Sequence, residues 1–413
     1  MGERNWAGNF EYGAPIAHPS TLSELRDAVV AAPSVRALGS RHTFNDLADD
    51  DGLLVSTAGL PSTVRIDEEA RTVTVGGGAR YGDLAQTLQQ SGWALHNLAS
   101  LPHISVAGAI ATATHGSGDR NGNLASAVAG MRILRADGET VDLARGDARF
   151  AGAVVHLGAL GVVTEVTLDI RPTFDVRQRL FERLPWDAVL GEFDRVTSAA
   201  YSVSLFTTWN EDAVSLAWLK ERDGDPTDSV DEFFGATALT APRHMIPTMD
   251  VRNTTEQLGV YGPWSERLAH FRFEFTPSNG EEIQSEYLVP RANAVEAIRA
   301  VRELAPLIAP LLQVSEIRTV AADDLWLSSA YDTDAVGLHF TWLRDQAGVE
   351  AVLPAIEDAL LPLGARPHWG KVYVDRENRV PGLYPKLDDF AALAADFDPA
   401  GKFRNGFLRR LLG

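Results

Sequence analysis

The chain has 413 residues, beyond the size at which one hydrophobic core stops growing, so two domains are expected. Apolar content of 45% and charged content of 23% are those of a globular enzyme, while a net charge of −19 disfavours nucleic acid and anionic membrane partners. No cysteine occurs, which excludes disulfides, thiolate metal sites and cysteine nucleophiles. The N-terminal Met1-Gly-Glu-Arg-Asn-Trp6 lacks the charged-then-apolar pattern of a leader, and no apolar run is long enough to span a bilayer. A cytoplasmic protein is expected.

In chain order, Ser20-Thr-Leu-Ser-Glu24 opens a helix over 20 to 32, with Leu22, Leu25, Val29 and Val30 at helical spacing. Val35-Arg-Ala-Leu38 reads as a strand stopping at Gly39, where the missing Cβ permits close ligand approach. His42 then follows on the loop Ser40-Arg-His-Thr-Phe-Asn45. An isolated loop histidine is more often structural than functional, so this one needs partners. Short β-branched runs follow at Leu53, Val64 and Thr72, the last running into Gly76-Gly-Gly78 and a helix carrying Leu84 and Leu88. Leu98 to Gly118 is almost entirely small residues and suits backbone lying against a bulky ligand, its N–H groups free for phosphate oxygens. Neither GxGxxG nor GxxxxGK is present. Asp137-Gly138 joins the alternating runs 130–136 and 139–143 into a hairpin. Gly158 and Gly161 precede a buried strand that ends at Arg171-Pro172, where proline removes a ladder donor and marks a boundary. This first part is α+β and not a βαβ repeat.

From 174 to 372 the chain holds seven of the nine tryptophans. Runs 203–209, 214–219 and 270–275 read as strands of an antiparallel sheet, and Glu221 to Met249 as a polar excursion between them. Val295 to Leu304 reads as an amphipathic helix with Ala297, Ile298 and Val301 inward. Three further strand-like runs, 313–320, 336–343 and 366–373, carry chemistry at period two: Glu316 with Arg318, His339 with Thr341, and Trp369 with Lys371. The alternate positions Ile317, Phe340 and Val372 are apolar and expected in a core. A solvated face with incidental ion pairs is the plainer alternative. After Tyr373 come a helix over 387–397 and the close Asp398-Pro-Ala-Gly-Lys-Phe403.

The Gly-Ser-Arg-His-Thr-Phe-Asn, Pro-His-Ile-Ser-Val-Ala-Gly and His-Gly-Ser-Gly segments together resemble the vanillyl-alcohol-oxidase-type flavoproteins, and most closely their alditol (xylitol) oxidases. The resemblance implies a two-domain α+β fold with FAD on residues 1–173, an antiparallel-sheet substrate domain over 174–372, and a return to the FAD domain over 373–413. It implies FAD bonded covalently through His42, with Gly39, Ser40, Arg41, Thr43, Ser100, Ser105, Gly108, His115, Gly116, Ser117, Gly158, Gly161 and His368 around the cofactor. Ser100, Glu316, Arg318, Thr341 and Lys371 would bind an open-chain polyol, with Arg318, Lys371 and His339 in the chemistry. Its terminal hydroxyl would be oxidised to an aldose while oxygen becomes hydrogen peroxide. In such proteins the residue before that serine, here Ala99, borders the path of oxygen, although a packing role is equally open. An aldonolactone oxidase or dehydrogenase shares the same motifs and remains the alternative; a decommissioned binding protein would lack the intact second cluster. His42, His96, His103 and His115 show no metal spacing. A monomer acting on a small polyol, with no resident metal, is expected.

Overall fold

The computed structural model describes residues 3–225, 232–275 and 282–413. The first helix, Leu22–Ala31, is capped by Thr21, whose hydroxyl accepts from the Glu24 N–H at 3.2 Å, while Ser20 donates twice to the Glu24 carboxylate. Leu25 and Val29 are buried; Leu22 and Val30 face solvent.

Strands β1 (Ile16–Ala17), β2 (Val35–Leu38) and β3 (Leu53–Ser56) form a small parallel sheet in the order β1-β3-β2. β4 (Val64–Asp67), β5 (Thr72–Gly76), β7 (Val128–Leu134), β8 (Thr140–Ala144) and β9 (Val162–Asp169) form an antiparallel sheet in the order β4-β5-β9-β7-β8. A two-residue pair, β6 (Trp93–Ala94) with β10 (Arg171–Pro172), ends this part of the chain. The expected hairpin is β7–β8, with Gly138 at φ +85° in its turn.

After Pro172 the chain enters a ten-stranded antiparallel sheet. It comprises β11 (Asp175–Pro185), β12 (Ser202–Thr207), β13 (Ala213–Arg222), β14 (Glu232–Phe233), β15 (Ala236–Ala238), β16 (Gly262–Pro263), β17 (Glu282–Pro290), β18 (Leu312–Val320), β19 (Ala335–Leu343) and β20 (Arg366–Pro367). The order is β14-β15-β11-β13-β12-β18-β19-β17-β20, with β16 on β11. One face packs Tyr287, Ile317, Phe340 and Trp342 against helices Ala294–Glu303 and Gln346–Leu360, through Ala297, Ile298, Val301, Val349, Leu353 and Ile356. The Val, Leu, Ile and Phe side chains among these each contribute about 1.5–3 kcal/mol on burial. The other face turns toward the small-residue segments of the first part, and the site lies between.

The C-terminal segment returns to the small parallel sheet. Asn405 donates to the carbonyls of Asp46, Leu47 and Asp49, Lys402 to those of Val29 and Val30, and buried Arg36 to Phe403 O at 3.1 Å.

Three expectations need correction. Residues 270–275 are not a strand: the N–H groups of His270 and Phe271 both donate to Ser100 O, and only Phe271 makes a bridge, to Thr254. The run 366–373 is a strand only over Arg366–Pro367; from His368 the chain turns, Gly370 N–H donating to His368 Nδ1 and Lys371 N–H to His368 O. Trp369 and Lys371 therefore do not share a face: Trp369 is buried against Tyr384, Lys371 faces the cavity. The excursion 221–249 also departs from its reading, for it supplies the short strands β14 and β15, and His244, Met245, Ile246 and Met249 line the cavity. Residues 226–231 of it lie outside the described residues.

Candidate active site

A single continuous cavity runs between the sheets, enclosing about 1790 Å³ of space not filled by atoms, open solvent at its mouth included. One end is lined by Arg36, His156, Leu157 and Gly158, the middle by residues 37–43 with Ile104, Ser105, Gly108, Thr112, Thr114 and His115, and the far end by Glu316, Arg318, His339, Thr341 and Lys371.

Local backbone builds the middle. Ser105 N–H donates to Ser40 Oγ at 3.1 Å, and Ser40 N–H reaches Ser105 Oγ at 3.4 Å, so the two loops are clasped. A Cβ on Gly39 or Gly108 would stand 2.4 or 2.7 Å from Ser105 Oγ, which is why glycine occupies both positions. Gly158 and Gly161 hold φ of +75° and +135°.

His42 lies on the cavity wall with its ring stacked on Trp6 at 4.8 Å. Its Nδ1 sits 3.1 Å from Ser40 O, and its buried Nε2 has no hydrogen-bond partner. Burial, aided by the charge of Lys371, pushes its pKa down to about 4, so the ring is neutral and keeps a lone pair at neutral pH.

The far end is built by register. Glu286 of β17, His339 of β19 and Glu316 of β18 are directly opposite one another, and Gln284 with Thr341 forms the next row. Gly337 stands opposite Arg318, and a Cβ there would lie 3.1 Å from Glu286 Oε1. The glycine leaves room for Arg318 Nη2 to donate to Glu286 Oε1 at 2.6 Å, while Nη1 reaches Ser100 Oγ at 3.3 Å. Arg318 Nε is buried without a hydrogen bond, 3.6 Å from Glu316 Oε2. His115 Nε2 lies 3.2 Å from Glu286 Oε1 without the alignment of a hydrogen bond.

Glu316 Oε1 is 2.7 Å from His270 Nε2. Lys371 Nζ donates to Gln284 Oε1 and lies 4.7 Å over the Phe44 ring; His339 Nε2 is 3.3 Å from the same Gln284 oxygen.

Charge follows geometry. Burial alone would raise both carboxylates, yet Arg318 and neighbouring histidines outweigh it and hold Glu286 and Glu316 well below the usual range. For Arg318 the lowering effect of burial is overcome by Glu286 and Glu316, so it stays charged. Burial pushes His339 down to about 3 and Lys371 to about 8. His368, with burial as the main cause, is held well below its ordinary value.

Of the residues named from sequence, Gly39, Ser40, Arg41, His42, Thr43, Ser100, Ser105, Gly108, His115, Gly158, Gly161, Glu316, Arg318, His339, Thr341, His368 and Lys371 all line the cavity. Gly116 and Ser117 do not. Gly116 packs where a Cβ would meet Leu98 O at 2.4 Å, and Ser117 Oγ donates to Val203 O, so both brace the wall from behind. Reading the sequence missed Glu286, Gln284, His270 and His156. The signal for the first two was period two in Gln284-Ser-Glu286, blurred because the core-facing Ser285 is also polar. Among the described residues, no group of three or more histidine or acidic side chains could hold a metal, and no helix is long and apolar enough to cross a membrane.

Residues 14–144 match the FAD binding domain family, and residues 275–411 match the D-arabinono-1,4-lactone oxidase family. The fold resembles cholesterol oxidase from B. sterolicum with a TM-score of 0.79 at 17% identity, covering 99% of this chain and 96% of that one. The chain is thus an FAD-dependent oxidoreductase with the two-domain vanillyl-alcohol-oxidase-type fold. It is 49% identical over 413 residues to the alditol oxidase of a Streptomyces species, spanning 99% of this chain and 98% of that protein. Identity is 31% to the L-gulono-1,4-lactone dehydrogenase of Mycobacterium tuberculosis and 24% to the L-gulonolactone oxidase of Mus musculus, each over 99% of this chain and at least 97% of the relative. The chain belongs to the alditol oxidase family of that superfamily.

Proposed function

We propose that the protein oxidises the terminal hydroxyl of open-chain alditols such as xylitol and sorbitol to the aldose, with oxygen reduced to hydrogen peroxide. The observation that carries this reading is the cluster Ser100, Arg318, Glu316, Thr341 and Lys371 on one cavity wall, which offers both donors and acceptors to a row of hydroxyls. The 49% identity to an alditol oxidase supports the same reading over a lactone substrate, since the lactone-acting relatives stand at 31% and below.

The first part of the chain, 1–173, with the return over 373–413, is proposed to hold FAD, and 174–372 the polyol. Gly39–Thr43, Ser105, Gly108, His115, Gly158, Gly161 and His368 would surround the cofactor. His42 is proposed as the covalent tether, supported by its neutral ring and unpartnered buried nitrogen. When bound, FAD accepts the hydride from the alcohol carbon and passes two electrons to oxygen.

The protein's own contribution is orientation and charge. Arg318, fixed by Glu286, and Lys371, fixed by Gln284, bring two positive charges to the hydroxyl that ionises, so the developing alkoxide is stabilised in a site whose dipoles are already set. Glu316 and Thr341 accept from or donate to the neighbouring hydroxyls. His339, neutral because burial pushes it down to about 3, lies on the same wall with its Nε2 3.3 Å from Gln284 Oε1. Two experiments test the reading: acid precipitation, which leaves a yellow pellet if the flavin is covalent, and a peroxide assay with xylitol and with sorbitol. A colourless pellet removes the tether; no peroxide with either alditol removes the oxidase.

A further inference from the structure

Lys220, on β13, is 1% exposed and takes no part in the site described above. Such a side chain is rarely buried without a reason, because its ammonium loses its hydration. Its Nζ has three acceptors: Leu268 O at 2.6 Å, Ala269 O at 2.8 Å and His270 Nδ1 at 3.3 Å. Burial pushes the Lys220 pKa down to about 7 against the raising pull of Glu316, and the geometry favours the charged form: three acceptors match the three N–H bonds of an ammonium, whereas an amine has two. Donation to Nδ1 puts the imidazole proton on Nε2, which then donates to Glu316 Oε1 at 2.7 Å. Burial, with the charge of Lys220, lowers the His270 pKa against the opposing pull of Glu316, and the ring is neutral.

The charged and titratable groups facing His270 are Lys220, Glu316, Arg318 and His244, and the rings of Phe206 and Trp218 close the remaining sides at 5.8 and 5.2 Å. Satisfying two carbonyls of the Leu268–Ala269 turn would account for Lys220 alone. It would not account for a histidine seated between that ammonium and a carboxylate on the substrate wall.

We propose that Lys220 and His270 are positioning residues for substrate recognition: by occupying Glu316 Oε1 through a fixed tautomer, they lock its carboxylate and leave Oε2 to accept from one substrate hydroxyl. The proposal rests on the polyol reading. It assigns the pair to binding and not to bond breaking, because both act through the Glu316 carboxylate: His270 bonds it directly and Lys220 bonds His270.

The test uses the FAD-loaded full chain. Lys220→Met and His270→Leu are expected to raise the KM for xylitol roughly tenfold, with the limiting rate of flavin reduction within about threefold of wild type. His270→Gln, whose amide still donates to Glu316, should recover most of the KM. In a Glu316→Gln background, Lys220→Met should add nothing further, since the carboxylate through which it acts is gone. Equal losses in KM and limiting rate, no rescue by His270→Gln, or additivity with Glu316→Gln would overturn the proposal. Nitrogen NMR of histidine-labelled protein gives a readout free of turnover: His270 should be the neutral Nε2–H tautomer, and Lys220→Met should disturb it. An Nδ1–H tautomer, or a signal unchanged in Lys220→Met, also overturns it. Failure of the wild type to oxidise any alditol would instead strike the functional reading, leaving the NMR result to judge the arrangement.

Discussion

Arg318 and Glu286 form an ion pair of 2.6 Å between β18 and β17, with the intervening strand contributing only Gly337 at that point. Both side chains are almost fully buried, and the pair fixes the guanidinium from behind so that Nη1 can face Ser100 and the cavity. Removing one partner of a buried pair leaves an uncompensated charge, which costs far more than the net worth of the pair.

Glu286→Leu is therefore expected to lose about 3–5 kcal/mol of stability and most of kcat/KM, measured by thermal melting and flavin reduction. A variant melting with the wild type would show that Arg318 finds another partner.

His42→Ala should fold, because His42 sits on a loop beside the cavity and its loss empties no core, and should carry no acid-stable flavin. Denaturing gel fluorescence reads this directly. Fluorescence retained on the variant band would assign the link to another residue.

Lys371→Met should cost roughly 2–4 kcal/mol of transition-state stabilisation with a small change in stability. The pH profile carries a sign. Burial lowers the Lys371 pKa to about 8, so the cation is complete below that value and lost above it. If the cation stabilises the alkoxide, wild-type kcat/KM falls as pH rises through about 8, and the limb disappears in Lys371→Met. A profile that rises through the same range would make Lys371 the base.

Ala99 lines the cavity and is 7% exposed, directly before Ser100. In a close-packed interior one methyl group can obstruct a diatomic. Ala99→Gly is predicted to speed reoxidation of reduced flavin without changing reduction by substrate. An unchanged oxygen rate in stopped flow assigns Ala99 to packing alone.

Much of this was legible in the chain because period two survives burial: Glu316 and Arg318 face the cavity while Ile317 is in the core, and His339 and Thr341 do the same around Phe340. The glycine segments were legible for a different reason, since small residues in quantity cannot fill a core. What escaped reading depends on contacts between distant elements. His270 looks like the start of an aromatic strand, and nothing local says that Ser100 O captures its backbone. Lys371 reads as a strand residue until the His368–Lys371 turn is seen, and Gly116 and Ser117 share a motif with His115 while pointing behind the wall. Glu286 carries only the blurred alternation of Gln284-Ser-Glu286; its meaning comes from Arg318, 32 residues away in sequence.

The central claim is that this flavin is reduced by an open-chain alditol. It is tested most directly by mixing the purified, FAD-loaded protein anaerobically with xylitol and, separately, with L-gulono-1,4-lactone while following flavin absorbance. Rapid bleaching by xylitol, slow or no bleaching by the lactone, and hydrogen peroxide equal to the reduced flavin on readmitting oxygen are the predicted results. Bleaching by the lactone and not by xylitol would contradict the account and make the protein an aldonolactone-oxidising enzyme.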